Sequence, residues 1–337
     1  MFDKPYHVAD IGANHDGSLE RALMLIELAA ECGANAAKFQ NYTADGLVSK
    51  KGFSGEQKGH QKNWTKSVWQ TYNDASTPLE WTEQLKRRCD ACGIDYFTSP
   101  YEIEIVDYVD KFVDIYKIGS GDITFKEIVK HIAAKNKPVI LATGAATLAE
   151  VMQAVLWLED VPLVLMQCNT NYTATAENMK HINLNVLKRY REIYPAIKLG
   201  LSDHTFGHTT AVGAVALGAT VIEKHFTDDR QRPGNDHSFA MMPDEWADMV
   251  RACNEVFYAL GDGEKRIQDN EKESSYVQRR GLRYNKPLAA GDRIQPEDLV
   301  ALRPEQGISP ADIDVVIGGL MVKDVDVDDP VMAGDFY

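Results

Sequence analysis

Short apolar, β-rich runs alternate with stretches whose apolar residues recur every three or four positions, the pattern of a parallel sheet built from strand–helix units. Eight runs are predicted as strands: Val8–Ile11, Ala36–Phe39, Ile94–Thr98, Ile115–Gly119, Val139–Thr143, Leu163–Cys168, Lys198–Ser202 and Val221–His225. Between the first two, Leu19, Ala22, Leu23, Ile26, Ala29 and Ala30 form one helical face that Gly33 terminates. Trp246, Met249, Val250, Cys253, Val256, Phe257 and Leu260 mark a last long helix closed by Gly261. Thr124 with Glu127, and Thr147 with Glu150, have capping-box spacing, so each pair predicts a helix starting just after a strand. Eight strands in this alternation predict an α/β chain folded as a TIM (β/α)8 barrel.

The pattern changes after the last helix. Residues 263–275 are polar and charged and read as a linker, whereas 276–337 hold short valine-rich runs and turn dipeptides such as Ala290-Gly291. The expected organisation is a barrel at 1–262, the linker, and a small β-rich domain at 276–337, of a size that gains from docking. Residues 43–77, with Trp64 and Trp69, follow neither period; a connection that long between a strand and its helix is expected to cover a site.

Composition narrows the classes. Of the 337 residues, 44% are hydrophobic and 26% charged, the balance of a folded globular protein. The net charge of −14 opposes nonspecific attraction to nucleic acid or an anionic membrane, so any anionic substrate needs a local basic cluster. MFDKPYHVADIG runs directly into a strand pattern without the basic-then-apolar order of a secretory signal, and no apolar run reaches the ~20 residues of a membrane span. Five scattered cysteines suit reduced thiols, and a cytoplasmic location is expected. The Cys89-x-x-Cys92 pair lies in a charged helical stretch with no second pair, where ordinary helix positions explain it better than metal or redox chemistry.

Barrel chemistry sits at the C-terminal ends of the strands. There the sequence places Asp10, Lys38 with Gln40, Ser99, Lys117 with Ser120 and Asp122, Thr143, Thr170 with Tyr172, Ser202 with His204, and Glu223 with His225. His204 and His225 lie one strand–helix unit apart, so consecutive strands can bring them together as metal ligands; singly, each reads as a hydrogen-bonded core histidine. Two imidazoles alone suit zinc or iron as well as manganese. Lys38 and Lys117 interrupt apolar strands, where an ammonium is costly unless it meets an anion; a single strand lysine is usually salt-bridged, but two at matching strand ends point to a phosphate or carboxylate pocket. Gly119-Ser120-Gly121 could add backbone N–H donors to it. Asp236, in a polar loop after the last strand, is a solvated turn residue or a further carboxylate. A metal, an anion pocket and carboxylates together suit addition to a carbonyl.

In chain order, IGANHDGSLERA, AAKFQ, FTSPYE, YKIGSGD, KPVILATG, GLSDHT, IEKHFT and RPGNDH resemble the sialic acid synthase family, the N-acetylneuraminate or nonulosonate synthases, and LVALRPEQGIS resembles their small antifreeze-like SAF domain. The resemblance implies condensation of phosphoenolpyruvate with the open-chain aldehyde of an N-acylated mannosamine-type sugar, giving a nine-carbon 2-keto acid and phosphate. It implies a divalent ion on His204 and His225, most often Mn2+, with Mg2+ or Co2+ as alternatives. Carried over position by position, Lys38, Ser99, Lys117, Ser120, Thr170 and Ser202 line the phosphoenolpyruvate pocket; Gln40, Asp122, Tyr172 and Asp236 face the sugar; and Asp10, Glu223 and Asp122 are the catalytic carboxyls. Arg303 matches an arginine that reaches from one subunit's small domain into its partner's barrel, implying a domain-exchanged homodimer. Asp10 and Asp122 stand where glutamates are usual, Ala142 where a serine is usual, CNTNYTAT lacks a proline and TGAAT a methionine, which leaves the acceptor sugar open. Rival readings are a synthase taking a sugar phosphate, a metal-dependent hydrolase and a noncatalytic carbohydrate binder. The SAF-like tail opposes the first, the lack of H-x-H on strand one the second, and the retained lysines and histidines the third.

Overall fold

The computed structural model describes residues 2–55, 61–62, 64–173 and 175–337. The chain forms two compact units, Met1–Gly261 and Asp262–Tyr337.

In the first unit, β1 (Tyr6–Asp10), β2 (Ala36–Asn41), β3 (Asp95–Pro100), β4 (Tyr116–Ile118), β5 (Val139–Ala142), β6 (Leu163–Cys168), β7 (Lys198–Asp203) and β8 (Ala219–His225) form one parallel sheet in the order β3-β2-β1-β8-β7-β6-β5-β4. The end strands β3 and β4 also lie side by side, but no hydrogen-bonded ladder joins them among the described residues. The sheet thus curls into a TIM-like barrel with one unladdered seam. Its strands are buried on both faces, which is why they read as nearly continuous apolar runs.

Two local details depart from expectation. Strand β4 is only three residues long because Gly119 leads directly into a 3-10 turn, Ser120–Asp122. The Thr124–Glu127 capping box does not form: the helix Lys126–Ala133 starts one residue later than the box predicts, with Phe125 at the N-cap and no side-chain cap. The Phe125 N–H donates to the Asp122 carbonyl at 2.8 Å, which keeps Thr124 inside the turn. The Thr147–Glu150 box does form, and the helix Leu148–Trp157 follows it. Residues 43–77 hold two helices, Ala44–Leu47 and Val68–Ala75, capped by Thr43 and Ser67; residues 56–60 and 63 of this segment lie outside the described residues. All five cysteines are free thiols, with Cys89 buried in the helix Thr82–Cys92.

In the second unit, a short helix, Lys272–Gln278, takes up the end of the expected linker. Strands β9 (Gly281–Tyr284) and β10 (Leu299–Leu302) pair antiparallel over a core of Leu282, Tyr284, Leu288, Ile294, Val316, Met321, Val325 and Val331. Arg303 is exposed immediately after β10. Among the described residues, no helix is long and apolar enough to cross a membrane.

Candidate active site

Strand register assembles the floor of the site. Lys38 on β2, Asp10 on β1 and His225 on β8 are partners on one rung of adjacent ladders, so the three side chains point into the barrel together. Lys38 Nζ lies 2.6 Å from Asp10 Oδ2 and 3.6 Å from Glu223 Oε1; Lys117, from β4 across the barrel, places Nζ 3.1 Å from the same Glu223 oxygen. Ser202 Oγ donates to that oxygen as well, at 3.3 Å. Burial alone would lower the Lys38 pKa, but the carboxylates of Asp10 and Glu223 outweigh it and hold the ammonium above its ordinary value. Burial likewise pushes the Asp10 carboxyl up, and Lys38 with His225 brings it below the usual range.

These groups line a cavity of about 460 Å³ at the C-terminal ends of the strands. Four of its buried polar atoms, Asp10 Oδ1, Ser99 Oγ, Glu223 Oε2 and His225 Nδ1, have no hydrogen-bond partner among the described residues. An orphaned buried group costs about 1–3 kcal/mol. Four of them converging on one cavity mark a site that a ligand completes.

His204 and His225 face each other with ring centroids 5.4 Å apart. His204 Nδ1 donates to the Asn169 carbonyl at 2.9 Å, which leaves the Nε2 lone pair for a ligand. Burial, then the neighbouring His225, pushes the His204 pKa down to about 3, so the ring is neutral. Tyr172 packs edge-on against His204 at 4.3 Å between ring centroids, and Phe239 against His225 at 5.0 Å.

Two further carboxyls reach the cavity from loops beyond the strands. Asp236 Oδ2 accepts from the Ala13 N–H at 3.3 Å and stands 3.5 Å from His225 Nδ1. Asp122, in the turn after β4, has its pKa pushed up to about 6 by burial. Gly12, at φ +47°, packs where Asp10, Gln40 and Asp236 meet: a β-carbon there would lie 3.0 Å from Asp236 Oδ2 and 3.3 Å from both Asp10 Oδ1 and Gln40 Nε2. Asp16 links the loops after β1 and β8, accepting from His237 Nε2 and from Arg232 Nε, each at 2.8 Å.

Of the expected site residues, Asp10, Lys38, Gln40, Ser99, Lys117, Ser120, Asp122, Tyr172, Ser202, His204, Glu223, His225 and Asp236 all line this one cavity. Thr170 stands beside it, where a β-carbon at Gly144 would come within 2.5 Å of its γ-methyl and 2.9 Å of Ser120 Oγ. Arg303 belongs to the second unit. Tyr42, Tyr101 and Cys168 also line the cavity without having been expected there. Two of these left a trace in the sequence: Tyr101 lies two residues beyond Ser99 in the same run, and Cys168 ends the run Leu163–Cys168 predicted as a strand. A wider cavity of about 1240 Å³ shares Ala13, Trp64, Ala75, Tyr172 and Asn235 with the first, and of the described residues of 43–77, Leu47, Val48, Phe53, Trp64, Tyr72 and Ala75 line the first cavity.

The donor set suits a divalent cation. Four carboxyls, Asp10, Asp122, Glu223 and Asp236, line the cavity against two lysines, and a neutral imidazole lone pair and an orphaned His225 Nδ1 face it. Among the described residues, no three His, Cys, Asp or Glu side chains stand together as a complete ligand set.

Comparison with known proteins agrees with this geometry. Residues 25–265 match the NeuB family and residues 279–336 the SAF domain. The chain is 34% identical to an N,N'-diacetyllegionaminic acid synthase of Legionella pneumophila, over 92% of this chain and 88% of the relative. It is 36% identical to a pseudaminic acid synthase of Campylobacter jejuni, over 99% and 97%. The solved structure of an N-acetylneuraminic acid synthetase from Leptospira borgpetersenii, in complex with citrate, superposes with a TM-score of 0.72 at 28% identity, covering 81% of this chain and 90% of that one. Barrel, site and tail therefore have one explanation: the chain belongs to the NeuB family of sialic-acid-type synthases, carbon–carbon bond-forming enzymes, and carries a C-terminal SAF domain.

Proposed function

We propose that the enzyme condenses phosphoenolpyruvate with the open-chain aldehyde of an N-acylated mannosamine-type sugar, giving a nine-carbon 2-keto acid and inorganic phosphate. The observation that carries this reading is the convergence of two buried lysines, two imidazoles and four orphaned polar atoms on one cavity. His204 and His225 would hold a divalent ion, Mn2+ before Mg2+ or Co2+, and when bound it supplies Lewis-acid polarisation of the aldehyde oxygen. Lys38 and Lys117 neutralise the phosphate and carboxylate of phosphoenolpyruvate, and Ser99, Ser120, Ser202 and Thr170 surround them with hydroxyls. Gln40, Tyr172 and Asp236 orient the sugar so that its aldehyde carbon meets the vinyl carbon. That carbon–carbon bond forms, water adds at the adjacent carbon, and the carbon–oxygen bond to phosphate breaks. Asp10, Glu223 and Asp122 are the groups placed to take the proton from water and deliver one to the new hydroxyl.

A phosphate-release assay checks the reading: release is expected only with phosphoenolpyruvate, an N-acylmannosamine-type aldehyde and a divalent ion together. Undiminished turnover after exhaustive chelation and buffer exchange would remove the metal. The names of the relatives favour a second acceptor class, the 2,4-diacetamido trideoxy sugars, and running those aldehydes beside N-acetylmannosamine, its 6-phosphate and arabinose 5-phosphate decides between them.

The proposal includes a domain-exchanged homodimer in the cytoplasm, with Arg303 of one chain completing the acceptor site of the other. Arg303→Ala is expected to raise the acceptor KM about tenfold, the loss of one charge-assisted hydrogen bond, while leaving the circular dichroism of the protein unchanged. Kinetics equal to wild type would remove the exchange.

A further inference from the structure

We infer that the buried Asp203–Lys224 ion pair is a brace that sets the spacing of the two imidazoles from behind, a positioning role that rests on the metal reading above. Side chains alternate along a strand, so Ser202 and His204 of the β7 run point into the barrel while Asp203 points away from its axis. Glu223, Lys224 and His225 repeat this alternation on β8, and Ser202–Glu223 and Asp203–Lys224 are consecutive ladder pairs, with His204 and His225 the residues that follow. Lys224 Nζ lies 2.6 Å from Asp203 Oδ2 and donates to the Thr205 carbonyl at 2.7 Å; both charged side chains are 1% exposed. The Thr205 N–H and the Thr210 hydroxyl donate to the same carboxylate, tying it to the chain just beyond His204.

Stability alone does not explain two fully desolvated charges there, because an apolar pair of similar volume is generally as stable or more so. What an ion pair adds is a distance-specific tie, and this ladder needs one. Its register shifts by one residue at Leu199/Gly200, three residues before Asp203. A slip of one residue would turn His225 away from the cavity. The pair pins the register beyond the irregularity, on the last rung before the imidazoles.

The test measures Mn2+ binding directly, by electron paramagnetic resonance titration of the full-length protein, alongside the thermal midpoint. D203N and K224M are each expected to lose stability. D203N/K224M, which retains an acceptor for the Thr205 N–H, is expected to regain the wild-type midpoint yet bind Mn2+ about tenfold more weakly, in the range for residues that orient metal ligands. Should the double variant fail to fold, K224R keeps the charge and is expected to bind within about threefold of wild type while K224M falls about tenfold. Wild-type Mn2+ affinity in a folded D203N/K224M, or in K224M, overturns the brace. Wild-type protein that binds no divalent ion overturns the metal reading and the brace with it.

Discussion

His225→Ala is expected to lower kcat/KM by about three to four orders of magnitude, equivalent to about 4–5.5 kcal/mol of transition-state stabilisation. The residue has no substitute in the cavity. Its ring sits between Asp10 and Asp236 at 3.4 and 3.5 Å, faces His204, and packs under Phe239. Truncation leaves His204 as the only imidazole lining the cavity among the described residues, and one nitrogen with scattered carboxylates is a poor basis for a site selective for a transition-metal ion. The loss should appear in Mn2+ titration as well as in phosphate release, with the fold unchanged by circular dichroism. A folded variant that keeps a tenth of wild-type activity would exclude His225 from the chemistry.

Lys38→Met should lose both activity and stability. Methionine nearly matches the lysine stem in volume, so the change removes a charge rather than a shape. Asp10, 3% exposed, then loses its close cation, and removing one member of a buried ion pair costs about 3–5 kcal/mol. Activity should fall at least about a thousandfold, because the substrate anion loses a desolvated ammonium. A double-mutant cycle separates the two effects. In K38M/D10N both charges are gone, so most of the stability should return while activity stays lost. Thermal or denaturant unfolding measures the first and phosphate release the second; additive stability losses would mean that the two residues are not energetically paired.

The barrel was legible because each strand announces itself twice, as an apolar run and as a polar residue where the run ends. The same rule pointed to the lysines, the histidines, Asp10 and Glu223, since a charged group at the end of a buried strand has few other places to go, whereas Asp236 lies in a loop well beyond β8 and carried no such mark. The rule also failed where a residue contributes shape instead of charge. Phe239, which roofs the imidazole pair, sits in a loop with no period, and nothing in DHSFA distinguishes it from an ordinary buried aromatic. Thr124 failed for another reason: capping boxes are read from spacing alone, and the turn after Gly119 moved the helix start beyond its reach. Asp203 and Lys224 escaped notice because alternation sends them to the opposite face from their histidine neighbours, and a single sequence does not show which charges meet behind a sheet.

The unladdered seam between β3 and β4 divides the lining of the cavity in two. Ser99 and Tyr101 hang from one side of it, Lys117, Ser120 and Asp122 from the other, so the two sides of the cavity belong to walls that no hydrogen-bonded ladder joins among the described residues. Parting those walls breaks no ladder, whereas opening the barrel between any other two neighbouring strands would break one. The imidazole pair lies on the continuous β1–β8–β7 side, held by ladders on both flanks, and the seam lies away from it.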